Sequence, residues 1–203
     1  MFKLSVALAA IASYAQARPH LGLCSDVAPM ESFDAERYMG TWYEISRDKF
    51  TFWEAFQGCN VSDYSMNEDG SIAIHGMGHA PFKGWVEGRG TFLKSGEDAN
   101  LTYICEKEQE KEDFDAENKE PNYMILDTDY ETYSIGYSCG NAWDMVSFDY
   151  LWIQAREPVL GDAKMLELVA KIDELLPNYQ WFKSSKMTRQ NKACPFDKRP
   201  MDE

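Results

Sequence analysis

The chain has 203 residues with 34 Asp or Glu and 20 Lys or Arg, which gives a formal net charge of −14 at neutral pH. This length is sufficient for one domain of ordinary size with its own hydrophobic core. An acidic chain of this kind is repelled by phosphate backbones and by anionic lipid, so we expect no nucleic-acid partner.

The first 17 residues have the pattern of a secretory signal peptide. They carry one lysine near the start, an apolar run and the small-x-small ending Ala15-Gln16-Ala17. The alternative, a membrane anchor, needs about 20 apolar residues, whereas the run covers only residues 4–12. We therefore predict a signal peptide at 1–17 and a secreted, extracellular single domain at 18–203.

The number of cysteines predicts two disulfides and one unpaired thiol in an exported chain. The five are Cys24, Cys59, Cys105, Cys139 and Cys194. Five choices of the unpaired residue times three pairings of the rest leave fifteen arrangements open. Two sequons, Asn60-Val61-Ser62 and Asn100-Leu101-Thr102, fit the same compartment, and each asparagine is a predicted glycosylation site on an outward-facing position.

From residue 40 to residue 156 the chain consists of short aromatic and β-branched runs separated by Gly, Asn, Asp and Pro. The runs predict eight strands at 41–47, 58–66, 71–78, 83–94, 100–105, 122–128, 132–138 and 147–156. Turn sequences such as Asn67-Glu68-Asp69-Gly70 join them, and no helical pattern intervenes. This order predicts an antiparallel sandwich or barrel and argues against a parallel sheet.

The segment at 106–120 differs from its surroundings. Its sequence, EKEQEKEDFDAENKE, contains eight acidic residues and three lysines. It is too polar to contribute to a core, so we predict a long, solvated hairpin loop between the fifth and sixth strands.

The hydrophobic period changes to that of a helix after Pro158. Apolar residues recur at helical spacing at Met165, Leu168, Val169, Ile172 and Leu175. We expect Asp162 to cap the N-terminus and Pro177 to end the pattern. One helix at about 162–176 is therefore predicted to pack outside the sheet, followed by a C-terminal tail to residue 203.

The motifs of enzymes and metal sites are incomplete. GYSCG at 136–140 matches the Gly-x-Ser-x-Gly pattern of a nucleophile elbow, but a further strand follows Ser138 where that motif requires a helix. All three histidines precede this serine, whereas a catalytic histidine should follow it. Scattered histidines and irregularly spaced cysteines give no metal-ligand set. We predict no metal, no cofactor and no enzyme activity.

Alternation in the first and last strands predicts how one end of a barrel is closed. It places Trp42, Glu44 and Ser46 on one face of the first strand. It places Arg156 on the same face of the last strand as Phe148, Tyr150, Trp152 and Gln154. If the two strands meet, the Arg156 guanidinium can lie over the Trp42 indole. An inward Glu44 would then pair with Arg156 or accept a hydrogen bond from a ligand.

Three segments resemble the structurally conserved motifs of the lipocalins, in the same order and at similar spacing. They are Gly40-x-Trp42, Thr128-Asp129-Tyr130 and Ala155-Arg156, within FDAERYMGTWYEI, ILDTDYETYSIGYSC and FDYLWIQAR. The resemblance covers about residues 24–196. It implies an all-β fold, an eight-stranded antiparallel up-and-down β-barrel at about 40–156 with one C-terminal α-helix outside. It also implies a floor formed by these motifs and the disulfides Cys24–Cys139 and Cys59–Cys194.

The resemblance further implies that the barrel holds a small hydrophobic ligand. The predicted lining is Trp42, Tyr64, Ile72, Ile74, Leu101, Tyr103, Met124, Phe148, Tyr150 and Trp152. Apolar walls with a few hydroxyl and indole donors suit a lipid, fatty acid, steroid, retinoid or pigment. The alternative is a barrel whose interior is filled by these side chains. We predict a secreted carrier.

Two other functions remain open. Cys105 shares a face with Leu101 and Tyr103, so it could serve a cavity-thiol enzyme of the prostaglandin-isomerase type, although the adjacent acids work against a thiolate. We expect a monomer in which Cys105 can form an intermolecular disulfide. Aromatic mouth loops could instead contact a lipoprotein or neutral lipid surface, or fold back as a lid. Their residues are Phe50, Phe52, Trp53, Phe56, Trp143 and Met145.

Overall fold

Eight long strands form the centre of the molecule in a computed structural model that describes residues 19–54, 56–94, 96–110, 115, 119–142 and 145–201. The strands are β2 (Gly40–Asp48), β3 (Gly58–Met66), β4 (Ile72–Ala80), β5 (Gly84–Lys94), β6 (Asn100–Cys105), β7 (Tyr123–Thr128), β8 (Tyr133–Ala142) and β9 (Val146–Ala155). The predicted signal peptide and Trp143 lie outside the described residues.

Each of these strands pairs antiparallel with the next, and β9 pairs back onto β2. The sheet is therefore a closed up-and-down barrel without exposed edges in its main body. Two short strands add to the outside, β1 (Pro19–Leu21) on β9 and β10 (Ser185–Met187) on β2. The predicted fold class is confirmed, and the predicted strand bounds are close to the observed ones.

One long helix packs against the outside of the barrel, as predicted. Helix α3 (Asp162–Leu175) buries Leu168 and Ile172 completely against Ile135 and Ile153 of the sheet. Its N-cap is Gly161 in an extended conformation, with no side-chain capping hydrogen bond. The expectation that Asp162 caps the helix is therefore wrong. As the first helical residue, its carboxylate still suits the positive end of the helix dipole.

The remaining helices are single turns. They are α1 (Ala35–Tyr38), α2 (Glu106–Gln109) and α4 (Trp181–Ser184), with 3-10 turns at Phe52–Glu54 and Phe196–Lys198. Helix α2 occupies the start of the acidic segment that was predicted as a loop, and residues 111–114 and 116–118 lie outside the described part. No described helix has both the length and the apolar composition needed to cross a bilayer.

A β-bulge in β2 changes which side chains face inward. Glu44 pairs with Gln154, but the register shifts so that Ser46 pairs with Ile153 and Arg47 with Trp152. Directly paired residues share a face of the sheet. Ser46 therefore shares the outer face with Ile153, and Arg47 turns inward. The prediction that Ser46 shares the face of Trp42 and Glu44 is wrong.

Two disulfides attach the terminal segments to the barrel. Cys24 is bonded to Cys139 of β8, and Cys59 of β3 is bonded to Cys194 of the C-terminal tail. Cys105 is the free cysteine and is half-buried. Both pairings implied by the family resemblance are confirmed.

Candidate functional site

The narrow end of the barrel is closed by an arginine that lies over a tryptophan. The Arg156 guanidinium carbon is 3.8 Å from the centroid of the Trp42 ring. Arg156 Nη1 donates to the Thr41 carbonyl and Nε to the Tyr130 carbonyl, each at 3.0 Å. Nη2 donates to the carbonyls of Arg37 and Tyr38 at 3.0 and 3.2 Å. Arg156 thus joins helix α1, strand β2 and the turn at Tyr130 below the barrel. The alternation predicts its contact with Trp42 but not these hydrogen bonds.

The segment Thr128-Asp129-Tyr130 forms the turn beside this arginine. Asp129 Oδ1 accepts hydrogen bonds from the backbone N–H groups of Thr132 at 2.7 Å and Tyr133 at 3.1 Å. Tyr130 adopts a left-handed conformation with φ +68°. Its hydroxyl accepts a hydrogen bond from the Asp34 backbone N–H at 3.0 Å. The carboxylate therefore satisfies the backbone of a strained turn, as in an Asx motif.

Gly40 is required at this end for two reasons. Its φ of +96° lies in the region that favours glycine, and a Cβ at this position would lie 3.3 Å from Arg156 Nη1. The six predicted floor residues thus belong to one assembly. They are Gly40, Trp42, Thr128, Asp129, Tyr130 and Arg156.

Above this floor the barrel encloses a cavity of about 570 Å³. One side, which we call the aromatic wall, consists of Phe92, Tyr103 and Tyr123 on β5, β6 and β7. The Phe92 ring lies 5.2 Å from that of Tyr103 and 5.0 Å from that of Tyr123. Because β6 is four strands from β2 in an eight-stranded barrel, this wall faces β2 and the loop that follows it.

Half of the residues predicted to line the cavity do so. They are Tyr64, Ile74, Tyr103, Tyr150 and Trp152. Trp42, Ile72 and Leu101 lie below them in a buried cluster with Tyr38 and Phe92. Phe148 shares the inner face of β9 with Tyr150 but is not among the lining residues of this cavity.

Met124 faces the other side of the sheet. It pairs with Tyr137 and packs against the cluster that contains helix α3. The prediction that Met124 lines the cavity is therefore wrong. A register shift between Ile125 and Asp127 changes the alternation of β7, so that Tyr123 rather than Met124 lines the cavity.

The side opposite the aromatic wall is polar. We call it the polar wall, and it consists of Glu44, Glu54, Gln57 and Asn60. The buried Arg47 lies behind it and forms an ion pair with Glu44, whose carboxylate also accepts a hydrogen bond from the Thr188 hydroxyl. The expected partner of Glu44 was Arg156, and that expectation is wrong because the bulge in β2 brings Arg47 inward. A structural ion pair is nonetheless the role that Glu44 has.

Arg47 also fixes the loop after β2. Its Nη2 donates to the carbonyls of Glu54 at 2.5 Å and Gln57 at 2.8 Å, and its Nε is 3.7 Å from Glu54 Oε2. Burial, together with the negative charge of Glu44, raises the pKa of Glu54 to about 8. One arginine therefore faces two carboxyl groups, of which Glu54 is the one held in its neutral form.

Trp53, in the same loop, covers part of the cavity. Its ring lies 5.3 Å from that of Tyr150, and 48% of the residue is exposed. Trp53 therefore folds back over the cavity, which is one of the two alternatives predicted for the aromatic mouth loops. Phe56, three residues later, remains 85% exposed.

Asn60, a predicted glycosylation site, lines the cavity. The residue is 6% exposed, and its Nδ2 lies 3.5 Å from Gln57 Oε1 as a hydrogen-bond donor. The expectation that this asparagine faces outward is wrong, because the register shift between Gly58 and Val61 turns it inward. Asn100 is half-buried at the start of β6, and its glycosylation remains a prediction.

A buried hydrogen-bond network lies between the cavity and the floor. The Tyr38 hydroxyl donates to Gln154 Oε1 at 3.2 Å and lies 2.9 Å from Ser134 Oγ. Burial raises the pKa of the neighbouring Tyr64 to about 12. These phenols therefore stay neutral and act as hydrogen-bonding groups at the bottom of the cavity.

The free thiol lies on the inner face of the barrel wall. Cys105 pairs with Gly90, which pairs with Ile74 of the cavity lining. It is not among the lining residues, and Glu106 follows it at the start of α2. Within the described part of the chain, no group of three His, Cys, Asp or Glu side chains is arranged to bind a metal ion.

Comparisons with known proteins identify the family. The model of the lipocalin-like domain matches residues 33–186. The chain is a lipocalin. It is 32% identical to apolipoprotein D of Oryctolagus cuniculus over 157 residues, 76% of this chain and 77% of the relative. Identity to apolipoprotein D of Mus musculus is 29% over 177 residues, 87% of this chain and 86% of the relative.

A solved structure agrees with the fold of this lipocalin. Insecticyanin from the tobacco hornworm Manduca sexta matches with a TM-score of 0.64 at 17% identity, covering 88% of this chain and 92% of that chain. The predicted family is confirmed by the family model and by the apolipoprotein D relatives. The residues that sequence reasoning missed in and behind the cavity lining include Arg47, Glu54, Gln57, Phe92 and Tyr123. Phe92 could have been found from the alternation of β5, whereas Tyr123 lies beyond the register shift of β7 and the loop residues have no such signal.

Proposed function

We propose that this lipocalin is a carrier that binds a small hydrophobic ligand in the barrel cavity. The observation that carries the proposal is an aromatic cavity of about 570 Å³ above a sealed floor. Small-molecule sites usually have volumes of about 300–1,000 Å³ and mostly apolar walls. Burying about 400–500 Å² of apolar ligand contributes on the order of 10–12 kcal/mol before the cost of association.

We further propose that the carrier is secreted. The leader-like residues 1–17 and the two disulfides support export, because structural disulfides persist in oxidising compartments. The ligand class among lipids, fatty acids, steroids, retinoids and pigments is a separate question.

We also propose binding without catalysis, by a monomer. Cys105 is the nucleophile that an isomerase would use, but Glu106 and Glu108 follow it, and a thiolate is favoured by positive rather than negative neighbours. A Cys105→Ser variant should retain ligand affinity within twofold. Loss of a dimer band in non-reducing electrophoresis of this variant would assign the thiol to an intermolecular disulfide instead.

The carrier proposal is tested by titrating tryptophan fluorescence with retinol, arachidonate and progesterone. The blocking variant is Gly76→Leu. A Cβ on Gly76 would lie 3.6 Å from the Gly88 carbonyl oxygen and 3.9 Å from Ser62 Oγ, so the added side chain fits and occupies the cavity. Gly161→Leu is the matched control, because this glycine precedes helix α3 outside the barrel and no neighbouring atom lies within 4 Å of its Cβ position.

Saturable quenching by at least one ligand, weakened tenfold or more by Gly76→Leu and unchanged by Gly161→Leu, is the expected result. Native mass spectrometry of the secreted protein should show a retained small molecule. Absence of quenching with every ligand, or equal quenching in both variants, would contradict a ligand-holding barrel.

A second candidate function, contact with a neutral lipid or lipoprotein surface, is favoured by exposed side chains at the mouth. Phe56, Phe82 and Met145 are 85%, 104% and 67% exposed. They lie in three loops at the open end, after β2, β4 and β8. We call them the apolar rim. Apolar and aromatic side chains of this kind favour insertion at a lipid interface.

Vesicle flotation tests this second function. Phosphatidylcholine vesicles should retain the protein, and the double variant Phe56→Ser/Phe82→Ser should release it. Leu166→Ser on helix α3 removes an apolar group that is 63% exposed and lies away from the mouth, and it serves as control. Binding that increases with phosphatidylserine content would contradict this function, because the chain carries a net negative charge.

A further inference from the structure

The charged residues among the described cavity lining are all acidic. The described lining residues include Glu44, Glu54 and Glu87 but no lysine, arginine or histidine. Glu87 is paired with His75 on the outer face of the barrel, at 2.8 Å from Nε2. The two carboxyl groups of the polar wall are therefore the ionisable side chains that a ligand inside the barrel meets first.

Arg47, the nearby cation, is occupied by the protein. Its Nη1 donates to the Glu44 carboxylate and, at 3.2 Å, to Thr188 Oγ1. Its Nη2 donates to two backbone carbonyls of the loop after β2, and its Nε faces Glu54 Oε2. Arg47 is 1% exposed, so its guanidinium is separated from the cavity by the groups that it holds.

One residue of the polar wall keeps an acceptor atom with no partner facing it, and this atom is the fully buried Asn60 Oδ1. Two further buried atoms without a hydrogen bond, Glu54 Oε2 and Arg47 Nε, face each other at 3.7 Å. An unsatisfied buried acceptor costs free energy that a donor supplied by a ligand would recover. Across the cavity, the aromatic wall of Phe92, Tyr103 and Tyr123 offers apolar contact to the body of the same ligand.

We propose that this cavity selects apolar alcohols over carboxylates with the same hydrocarbon skeleton, the hydroxyl binding at the polar wall next to Glu54 and Asn60. A hydroxyl donates one hydrogen bond and can accept another, which suits this mixture of acceptor atoms and side-chain amides. A carboxylate only accepts, and it would bring a second negative charge next to the Glu44 carboxylate, with no lysine, arginine or histidine among the described lining residues to pair with it. An unpaired charge buried in this way is strongly disfavoured. The inference rests on the proposed carrier function.

The test compares all-trans-retinol with all-trans-retinoate, which differ only in the head group, by quenching of tryptophan fluorescence at pH 7.5. Retinol should bind the unmodified protein at least tenfold more tightly. Glu44→Gln removes the carboxylate that neutralises the buried Arg47, so it should strengthen retinoate binding and reduce the ratio below threefold. Glu68→Gln, an exposed residue in the β3–β4 turn, changes the net charge equally and should leave the ratio unchanged.

A retinoate affinity equal to or greater than that of retinol in the unmodified protein would overturn the inference, whether or not the variant folds. A ratio that Glu44→Gln leaves unchanged would place the selectivity elsewhere and would also overturn it. The neutral fluorophore N-phenyl-1-naphthylamine distinguishes the two proposals. If neither this fluorophore nor either retinoid binds, the carrier function itself is wrong. If the fluorophore binds, only the head-group preference is being tested.

Discussion

Arg156, which follows the last barrel strand, contacts Trp42 in the first strand, with the guanidinium 3.8 Å from the centroid of the indole ring. The tryptophan is fully buried and donates from its own Nε1 to the Tyr38 carbonyl, 2.8 Å away. The same carbonyl accepts a hydrogen bond from Arg156. This pair of side chains therefore joins the floor to strand β2 and helix α1, and it closes the narrow end of the barrel.

Arg156→Lys should destabilise the protein by about 2–4 kcal/mol. A lysine keeps the charge but cannot make four hydrogen bonds from one planar group, so several partly buried carbonyls lose their partner. Urea unfolding measures the change. Arg89→Lys, whose ion pair with Glu87 is 3.6 Å long and partly exposed, should change stability by about 0.5 kcal/mol or less. Equal effects of the two substitutions would contradict the role assigned to Arg156.

Gly40→Ala should cost about 1–2 kcal/mol, because a non-glycine residue is strained at φ +96° and its Cβ would approach Arg156 Nη1. Gly140→Ala is the matched control, since that position has room for a methyl group and no positive φ. It should be neutral or stabilising by up to about 1 kcal/mol. Thermal or urea unfolding of both variants measures the difference, and a neutral Gly40→Ala would disprove the strain.

Stability should depend on pH through Glu54. Burial and the charge of Glu44 raise the pKa of its carboxyl from 4.5 to about 8 in the folded protein, so the folded state binds an extra proton between these values. The contribution of Glu54 is therefore fully present below about pH 4.5 and is lost as the pH rises to about 8. Relative to the unmodified protein, Glu54→Gln should become progressively more stable across this window. The urea midpoints of the unmodified protein and of Glu54→Gln are measured from pH 5 to pH 9. Two curves that stay parallel would contradict the assignment.

Removing the disulfide between Cys24 and Cys139 by a double serine substitution should cost about 4–5 kcal/mol. The bond joins residues 115 positions apart, and its loss restores the freedom of a long loop in the unfolded chain. Cys105→Ser, which removes a thiol but no cross-link, should cost about 1 kcal/mol or less. Urea unfolding of both variants gives the comparison, and similar losses would argue against a stabilising cross-link.

Much of the barrel could be predicted from its sequence because each strand is a separate aromatic or β-branched run bounded by turn residues. The contact between Trp42 and Arg156 followed from alternation in two strands that a closed barrel makes neighbours. Helix α3 followed from the spacing of its apolar residues. These features depend on local pattern, which a single sequence carries.

The errors have a common physical cause in the register of the strands. Ser46, Asn60 and Met124 were each assigned to the wrong face, and each lies within or beside a register shift, in β2, β3 and β7 respectively. A bulge inserts one residue and reverses the alternation beyond it. Its position is set by pairing with neighbouring strands, so strict period-2 counting cannot locate it. Arg47 was missed for the same reason, and with it the partner of Glu44.

In the secreted protein proposed above, the inward position of Asn60 would set folding against glycosylation of its sequon. The neighbouring Cys59 is bonded to Cys194, 135 positions along the chain. A sugar on Asn60 would occupy the interior that the closing strands enclose. Closure of β3 into the barrel would therefore protect this asparagine from modification.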